Sequence, residues 1–405
     1  MKQSIYLDNA ATSFPKPRQV TETMVHYMNK VGANPGRAGH QLSLEASRIV
    51  QHTRASLAKL FNISDPVRIV FTLNVTEALN TVIYGFLDKG DHVIISAMEH
   101  NSVLRPLTHL EESDFITLTI APCDRKGFLD MDALPKLIEK NTKLMVLNHA
   151  SNVCGTIQDV GAVKAAIGDV PLLLDSAQTA GCYPIDVEAS GIDFLAFTGH
   201  KALLGPQGTG GLYIRDGLNI RPLKRGGTGS ISETARQPDF LPDALESGTQ
   251  NNVGIAGLGA GVDFILQEGV DKIRTHEETL TSTLLKALHD LPGLTIYGPL
   301  NPERQTATIS LTFESILPTG SEHGFGGCGS INLAWMEEGI PIDVAGDMLD
   351  GDYDILVRVG LHCAPLAHKT LGTFPDGSVR MSMGYFNTLE EMEFTAAALR
   401  KIAAA

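Results

Sequence analysis

The stretches "LLLDSAQTAG" (172–181) and "FLAFTGHKALLGPQGTGG" (194–211) decide the fold. Each begins with an apolar run and then presents a polar group, Asp175 in the first and Lys201 in the second. The two residues are 26 positions apart, about the length of one strand–helix–strand unit. Since parallel strands bring their carboxyl ends to one edge of a sheet, we expect the acid and the amine to lie at the same edge.

The same sequence pattern extends from about residue 65 to residue 215, where short apolar runs alternate with amphipathic segments. The predicted strands are "RIVFT", "DHVIIS", "KLMVLN", "VPLLLD", "FLAFTG" and "GGLYIR". Continuous apolar strands are typical of a mostly parallel sheet that is buried on both faces. The sequence therefore predicts an α/β fold with a large, mostly parallel mixed sheet, whose ligands bind outside the carboxyl ends of the strands.

The pattern changes after about residue 250. A long helical periodicity over "IAGLGAGVDFILQEGVDKIRTHEETLTSTLLKALHDL" predicts a helix that leaves the first domain, and its "GLGAGV" predicts small-residue helix packing rather than a dinucleotide loop. The strands "LTIYGP" and "TATISLTF" and the helix "TLEEMEFTAAALRKIAA" predict a smaller α+β domain. For a chain of 405 residues we predict a large domain over 16–262 and a C-terminal domain over 263–405 together with the segment 1–15.

Composition narrows the class of protein. The formal net charge is −14, and no Lys/Arg-rich run compensates for it, which argues against a nucleic-acid partner. The start "MKQSIYLDNAATSF" has no apolar signal core, and no apolar stretch is long enough to span a bilayer. The five cysteines are scattered without a CxxC pair, which indicates a reducing compartment and no metal site. We expect a cytoplasmic protein without a membrane partner.

Lys201 carries the first chemical signal. A nearly apolar strand leads it into the Gly/Pro-rich loop "GPQGTGG", where desolvation would lower its pKa and allow it to form a Schiff base with a carbonyl group. Pyridoxal phosphate requires such a lysine, a carboxylate on the pyridine nitrogen and a cradle for the phosphate. Asp175 suits the second role, although for a lone residue of this type a helix cap is the simpler interpretation.

The stretch "FTLNVTEALN" is the candidate cradle, because a helix that starts near Thr76 would direct free N–H groups and its dipole at a phosphate. Thr198 can add a hydroxyl group. In "MEHNSV", His100 follows another strand end, where an imidazole can stack on a flat ring. The alternatives are an ordinary helix start and a polar surface histidine.

The ordered series "LDNAAT", "NVTEALN", "EHNS", "SNVCGT", "DSAQ", "TGHK", "ESGTQN", "RVGLHCAP" and "SVRMSMGYFNTLEE" resembles the cysteine desulfurases. These belong to the class V aminotransferase group of fold-type-I pyridoxal phosphate enzymes. The motifs run in the family's order from residue 7 to about residue 391. The resemblance therefore covers nearly the whole chain and implies the fold-type-I architecture.

The resemblance implies a role for each matching residue. Lys201 would hold the cofactor covalently, Asp175 would hold its pyridine nitrogen, and His100 would stack on its ring and act in catalysis. Further cofactor contacts are implied for Asn152, Gln178, Val75, Thr76, Thr198 and His200. The family is dimeric, and Gly226, Gly227 and Thr228 would reach the cofactor phosphate of the second subunit.

Cys363 would separate sulfur transfer from transamination. The stretch "RVGLHCAP" is similar to the short cysteine loop of the SufS-like branch, which implies that Cys363 is catalytic, and neighbouring His362 and Arg358 can stabilise a thiolate. Arg380 and Asn152 would bind the substrate carboxylate, for which the arginine fork is suited. The implied reaction removes sulfur from L-cysteine, gives L-alanine and leaves a persulfide on Cys363 for an acceptor protein.

The sequence departs from the family pattern in three places. The phosphate loop "LNVTE" leaves one hydroxyl group, that of Thr76, where the family usually has paired threonines. The segment 318–346 carries Cys328 and Trp335 and is either a surface insertion or a lid, docking element or second sulfur carrier. The spacing from Cys363 to Arg380 fits a side branch of the family, which leaves the acceptor open.

Several functions remain compatible with these residues. A selenocysteine lyase and a carbon–sulfur lyase acting on cystine or cysteine would share Lys201, Asp175 and Arg380. A class V aminotransferase would have no use for Cys363. A scaffold without activity would have no use for the intact set.

Overall fold

The computed structural model describes residues 4–36, 39–314 and 339–404. Cys328, Trp335 and most of the segment 318–346 lie outside these ranges. Strand and helix bounds follow the chain. The strands are β1 (Ile5–Tyr6), β2 (Ile69–Thr72), β3 (Asp91–Ser96), β4 (Ile116–Ala121), β5 (Thr142–Asn148), β6 (Leu172–Asp175), β7 (Phe194–Thr198), β8 (Gly210–Ile214), β9 (Leu294–Tyr297), β10 (Thr308–Phe313), β11 (Ile355–Leu356), β12 (Arg358–Gly360) and β13 (Ser378–Ser382).

The helices are α1 (Arg18–His26), α2 (Gln41–Leu60), α3 (Val75–Phe86), α4 (Asn101–Glu112), α5 (Val160–Ile167), α6 (Asn252–Glu268), α7 (Val270–Leu288), α8 (Ile342–Tyr353), α9 (Pro365–Leu371) and α10 (Leu389–Ala403). Within the described ranges no single helix has both the length and the apolar composition needed to cross a membrane; only α6 and α7 counted together meet those criteria.

The large sheet has seven strands in the order β2-β8-β7-β6-β5-β3-β4. β8 runs antiparallel to both of its neighbours, and the other pairings are parallel. Every strand predicted between residues 65 and 215 is present. The mostly parallel mixed sheet predicted from the apolar runs is therefore confirmed.

The sheet is buried on both faces because its central strands contain runs of buried apolar residues. In β6, Leu172 and Leu174 contribute to the core on one face, while Leu173 contributes to the core on the other. Helices α3 and α4 cover the second face, and α5 and α6 cover the first. With both faces closed, the edge where the strands end is the open side of this layer.

A second core lies around an antiparallel sheet with the order β12-β13-β10-β9. Helices α7 and α10 pack on it through Leu280, Leu284 and Leu399. The short strand β1 pairs with β11 in parallel, so the N-terminal segment joins this second core. The arrangement agrees with the predicted α+β unit, and the division between residues 262 and 263 stays a prediction.

Two elements differ from the prediction. The sequence analysis missed β4, because it is an edge strand that pairs with β3 alone and has partly exposed side chains instead of a continuous apolar run. The single long helix predicted after residue 250 was wrong: the chain forms α6 and α7, bent by 82°. The break falls at Gly269, whose φ of +88° is a conformation that other residues rarely adopt.

The glycines of "GLGAGV" lie inside α6, as predicted. A Cβ atom at Gly261 would come within 2.6 Å of the carbonyl oxygen of Leu203, and one at Gly257 within 2.7 Å of Met24. The small residues thus let α6 approach the loop that follows Lys201.

Candidate active site

Asp175 and Lys201 lie at the same edge of the large sheet. Asp175 is the last residue of β6, is 3% exposed and accepts a hydrogen bond of 3.0 Å from the amide of Ala177. Burial raises its pKa, which that hydrogen bond and the Lys201 ammonium partly offset. Burial likewise lowers the pKa of Lys201 to about 8, against the opposing effect of Asp175. Buried Asp175 and half-buried Lys201 therefore lie at one sheet edge and interact electrostatically, as the spacing predicted.

The loop that carries Lys201 is fixed at both ends. The amide of Gly199 donates to the carbonyl of Thr209 (2.8 Å), and the amide of Gly205 donates to that of Gly199 (2.8 Å). Ser13 Oγ donates to the Lys201 carbonyl at 2.8 Å. Since the backbone is held on both sides, the Lys201 side chain has a defined origin at the end of β7.

His100 is the N-cap of α4. Its Nδ1 accepts from the amide of Ser102 at 3.1 Å and lies 2.8 Å from that residue's hydroxyl oxygen. Burial lowers the pKa of His100 to about 4, and the cations Lys201, Arg105, Arg358 and Arg380 add to this. The ring is therefore neutral near pH 7. Its stacking on a cofactor ring stays a prediction.

The candidate phosphate cradle begins at Val75, one residue before the predicted start. Asn74 caps α3 by accepting from the amide of Glu77 at 3.0 Å, which leaves the amides of Val75 and Thr76 without a partner inside the helix. Glu77, which the sequence analysis did not single out, is paired with Lys224. The first turn thus keeps free N–H donors while its carboxylate is neutralised.

Thr198 ends β7 opposite Gly210, which is itself opposite Thr72 just before the cradle, and His200 lies in the Lys201 loop. The Thr198 hydroxyl donates to the carbonyl of Thr209 at 3.4 Å and is buried. The His200 carbonyl accepts from the amide of Ser13 (3.0 Å) and from Lys16 Nζ (2.7 Å), whereas its buried Nδ1 has no partner among the described residues. Burial lowers the pKa of His200 to about 4, so its ring is neutral.

Arg380 and Asn152 meet at the same opening. Arg380 lies in β13 and is 2% exposed; its Nη1 donates to the carbonyl of Asn152 (3.0 Å) and its Nη2 to Asp8 Oδ1 (2.6 Å). Asn152 Nδ2 donates to the carbonyl of His362 at 2.7 Å, while its buried Oδ1 is unpartnered in the described part of the chain. Asn152 therefore links the predicted carboxylate site to the cysteine loop.

Cys363 is exposed at the tip of the loop between β12 and α9. Its carbonyl accepts from the amide of Asn101 at 2.8 Å, the residue next to His100. Both His362 (φ +48°) and Cys363 (φ +58°) have left-handed backbone conformations, which are uncommon for residues other than glycine. Together with the Asn152 contact, this anchor brings the cysteine loop to the edge that carries His100, Asp175 and Lys201.

The role expected of His362, stabilising the Cys363 thiolate, stays a prediction. Its ring is buried, with Nε2 lying 3.2 Å from the carbonyl oxygen of Ser378 and 3.3 Å from that residue's hydroxyl oxygen. Burial lowers the pKa of His362 to about 2, which the cations Arg380 and Arg358 reinforce. The neutral ring packs beside His368 with centroids 5.5 Å apart. Arg358, in contrast, is exposed on β12.

Gln178 follows β6, and its Nε2 donates to the carbonyl of Ala10 at 3.2 Å. Gly227 and Thr228 lie elsewhere, in a surface groove with Arg54 and Glu246, and do not join the Lys201 cavity of their own chain. Their expected role concerns a second subunit and stays a prediction.

The sequence analysis missed two residues of the site. Asp8 pairs with Arg380 across 372 positions, and only the quoted motif "LDNAAT" contains it. Glu99 is fully buried; its Oε1 accepts from Ser96 Oγ (2.6 Å) and from the amide of Asn148 (2.8 Å). Glu99 precedes His100 in the motif "MEHNSV", which was the available signal.

The model of the class V aminotransferases matches residues 5–394, and the chain belongs to this family. A "probable cysteine desulfurase" of Methanothermobacter thermautotrophicus is 34% identical and aligns over 100% of this chain and 96% of its own length. A cysteine desulfurase of Pectobacterium atrosepticum is 32% identical, over 98% of this chain and 92% of the relative. The apo structure of a cysteine desulfurase from Thermococcus onnurineus superposes with a TM-score of 0.87 at 31% identity, covering 99% of this chain and 95% of that one.

Proposed function

We propose that this chain is a pyridoxal phosphate-dependent cysteine desulfurase that converts L-cysteine into L-alanine and a persulfide on Cys363. One observation carries the proposal: the Cys363 loop is tied to Asn101 and Asn152 at the sheet edge that holds Lys201 and Asp175. An aminotransferase needs the amine and the acid but not an exposed thiol at this opening. The named relatives support the same assignment.

The residues present fit the cofactor. The desolvated amine of Lys201 suits a Schiff base, and the buried Asp175 carboxylate suits a protonated pyridine nitrogen. Asn152 Oδ1 and His200 Nδ1 are buried without a partner among the described residues, as expected for groups that await a ligand. The free amides of Val75 and Thr76 suit a phosphate, and Thr198, Gln178 and neutral His100 complete the proposed set.

When bound, pyridoxal phosphate supplies an electron sink for the carbanion formed at the α-carbon of the amino acid. Arg380 and Asn152 bind the substrate carboxylate and fix the α-hydrogen toward Lys201. With a pKa of about 8, the Lys201 amine takes up this proton near neutral pH without a large energetic cost. The Asp175 carboxylate would keep the pyridine nitrogen of the bound cofactor protonated and therefore positively charged.

Cys363 performs the sulfur transfer. Its thiolate attacks the sulfur of the substrate, so an S–S bond forms while the carbon–sulfur bond breaks and its electron pair stays with the β-carbon. A proton delivered to the β-carbon, followed by return of the α-proton from Lys201, gives L-alanine. Because Cys363 is exposed, the terminal sulfur of the persulfide is accessible to a thiol reductant or to an acceptor protein.

The proposal extends to the assembly. We expect a cytoplasmic homodimer of the SufS-like branch in which Gly227 and Thr228 reach the cofactor phosphate of the second subunit. The groove that contains them also includes Pro35, Val67 and Asn252. The sulfur acceptor is an as yet unspecified protein.

The test is an incubation of the purified holoenzyme with L-cysteine and a thiol reductant, in which L-alanine and sulfide are quantified. We expect equal amounts of the two products in the wild type and in the control Cys123→Ser, which changes a half-buried cysteine that does not line the Lys201 cavity. Cys363→Ser should lose sulfide formation while it retains the cofactor, which its absorbance reports.

Other outcomes contradict the proposal. Pyruvate and ammonia in place of L-alanine indicate a carbon–sulfur lyase, and full sulfide release by Cys363→Ser removes the role of that thiol. Turnover of selenocysteine without turnover of L-cysteine indicates a selenocysteine lyase. Formation of an oxo acid from an amino donor indicates an aminotransferase.

A further inference from the structure

Arg380 is already engaged before a substrate binds. Its Nη2 donates to Asp8 Oδ1 at 2.6 Å, its Nη1 donates to the Asn152 carbonyl, and its buried Nε has no acceptor among the described residues. Each bidentate edge of a guanidinium, Nε with Nη2 or Nη1 with Nη2, includes Nη2, so a substrate carboxylate shares this nitrogen and its two N–H groups with Asp8. A substrate carboxylate therefore meets a carboxylate that is already bound.

A second arginine lies beside this pair. In the antiparallel register of β12 and β13, Arg358 is directly opposite Arg380. Asp8 is bridged to Ser382, two positions after Arg380 on β13, so Asp8 and Arg358 both neighbour Arg380 along this strand. All three charged groups act on the Tyr6 hydroxyl. Burial is the main reason why the pKa of Tyr6 is raised; Asp8 raises it further, and Arg380 and Arg358 lower it.

Like charges directly opposite each other destabilise a strand pair unless an anion lies near both. Arg358 is exposed and has no ion-pair partner among the residues that the structure describes, whereas Asp8 is paired with Arg380 alone. The side chain of Asp8 is 21% exposed and that of Arg380 only 3%. The partly exposed Asp8 carboxylate therefore has space to rotate, whereas the buried Arg380 guanidinium is held in place.

The backbone around Asp8 is fixed. Asn9 Nδ2 donates to the Ser382 carbonyl at 3.0 Å, and the amide of Leu7 donates to the Leu356 carbonyl at 2.9 Å. A change of partner by Asp8 is therefore a rotation of its side chain and needs no movement of the N-terminal segment.

We infer that Asp8 is a competing carboxylate that occupies Arg380 in the substrate-free enzyme and moves to Arg358 when the carboxylate of an amino acid binds. Each carboxylate then faces one guanidinium, and no charge is left uncompensated. The exchange also selects for ligands with a carboxylate, because a neutral amine ligand cannot displace Asp8 from Arg380. This inference rests on the proposed function, since it takes Arg380 as the carboxylate site.

The test measures the dissociation constant of L-alanine for the holoenzyme from the visible absorbance of the bound cofactor. Asp8→Asn keeps the shape of the side chain and removes its charge, so we expect L-alanine to bind about tenfold more tightly. Arg358→Gln removes the second partner of Asp8, and we expect weaker binding. The double variant should bind L-alanine as tightly as Asp8→Asn does. Without the charge of Asp8, no carboxylate has to move to Arg358 when the ligand binds. Asp88→Asn, at an exposed ion pair with Arg221, is the matched control.

The outcomes separate the two claims. Weaker binding by Asp8→Asn would show that Asp8 positions Arg380 and would overturn the inference while the proposed function stands. A loss from Arg358→Gln that persists in the double variant would mean that Arg358 contacts the ligand itself, which also overturns it. No response of the wild type to L-alanine would overturn the role of Arg380 in the proposed function and the inference with it.

Discussion

Glu99 gives a prediction whose size follows from the structure. The carboxyl group is fully buried, and burial raises its pKa from 4.5 to about 8, although hydrogen bonds from Ser96 and Asn148 oppose the shift. Glu99 is therefore protonated in the folded protein at pH 7 and ionised in the unfolded chain. Above pH 4.5 the folded state holds one more proton than the unfolded state, so stability falls as the pH rises until the folded pKa is reached.

The substitution Glu99→Gln removes this dependence. One proton corresponds to about 1.4 kcal/mol per pH unit, so between pH 4.5 and pH 7 the ionisable residue loses roughly 3 kcal/mol of unfolding free energy relative to an uncharged one. The glutamine oxygen can keep the hydrogen bonds from Ser96 Oγ and from the amide of Asn148. We expect the variant to match the wild type near pH 4.5 and to be more stable by up to roughly 3 kcal/mol at pH 7.

The assay is urea denaturation at pH 5, 6 and 7 with the difference in unfolding free energy plotted against pH. Glu277→Gln is a matched control, because Glu277 is buried in α7 and burial also raises its pKa to about 8. Glu277→Gln should reduce the pH dependence of the unfolding free energy by a similar amount. Glu393→Gln, on the exposed side of α10, should leave that pH dependence unchanged. If the unfolding free energies of Glu99→Gln and the wild type change in parallel from pH 5 to pH 7, the pKa of Glu99 is not raised in the folded protein.

Two further predictions concern the site. Arg380→Lys replaces a planar fork by a point charge, so we expect KM for L-cysteine to rise about tenfold or more, measured by initial rates of L-alanine formation; an unchanged KM would contradict the carboxylate role. Because the pKa of Lys201 is lowered to about 8, capture of pyridoxal phosphate by the apoenzyme, trapped with borohydride, should increase with pH and reach its half-maximal rate near pH 8. A midpoint near 10.5, the ordinary value for lysine, would show that the amine is not desolvated.

The large sheet was predictable because its physical signal is local. Strands buried on both faces must be apolar at successive positions, as in Leu172–Leu174 of β6, and the same rule places their ends at one edge. The rule fails for β4, which lies at the sheet edge and needs no continuous apolar run. The bend at Gly269 was missed since the helical periodicity continues on both sides of it.

The site was predictable where one residue follows a strand, as for Asp175, Lys201 and His100. It was not predictable where two distant residues compensate each other. Asp8 acquires its partner Arg380 from another sheet, and nothing in the local sequence indicates that pairing. The burial of His362 was not predictable for a related reason: its neighbours in sequence suggest a polar loop, while the folded chain places the ring against Ser378.

Persulfide formation on Cys363 is measured directly by the mass of the Cys363 peptide after the holoenzyme reacts with L-cysteine without a reductant. We expect the peptide to gain one sulfur atom, the gain to disappear on reduction, and L-alanine to appear in an equal amount. L-alanine formed without any added sulfur on Cys363, or sulfur added to Cys123 instead, would contradict this expectation.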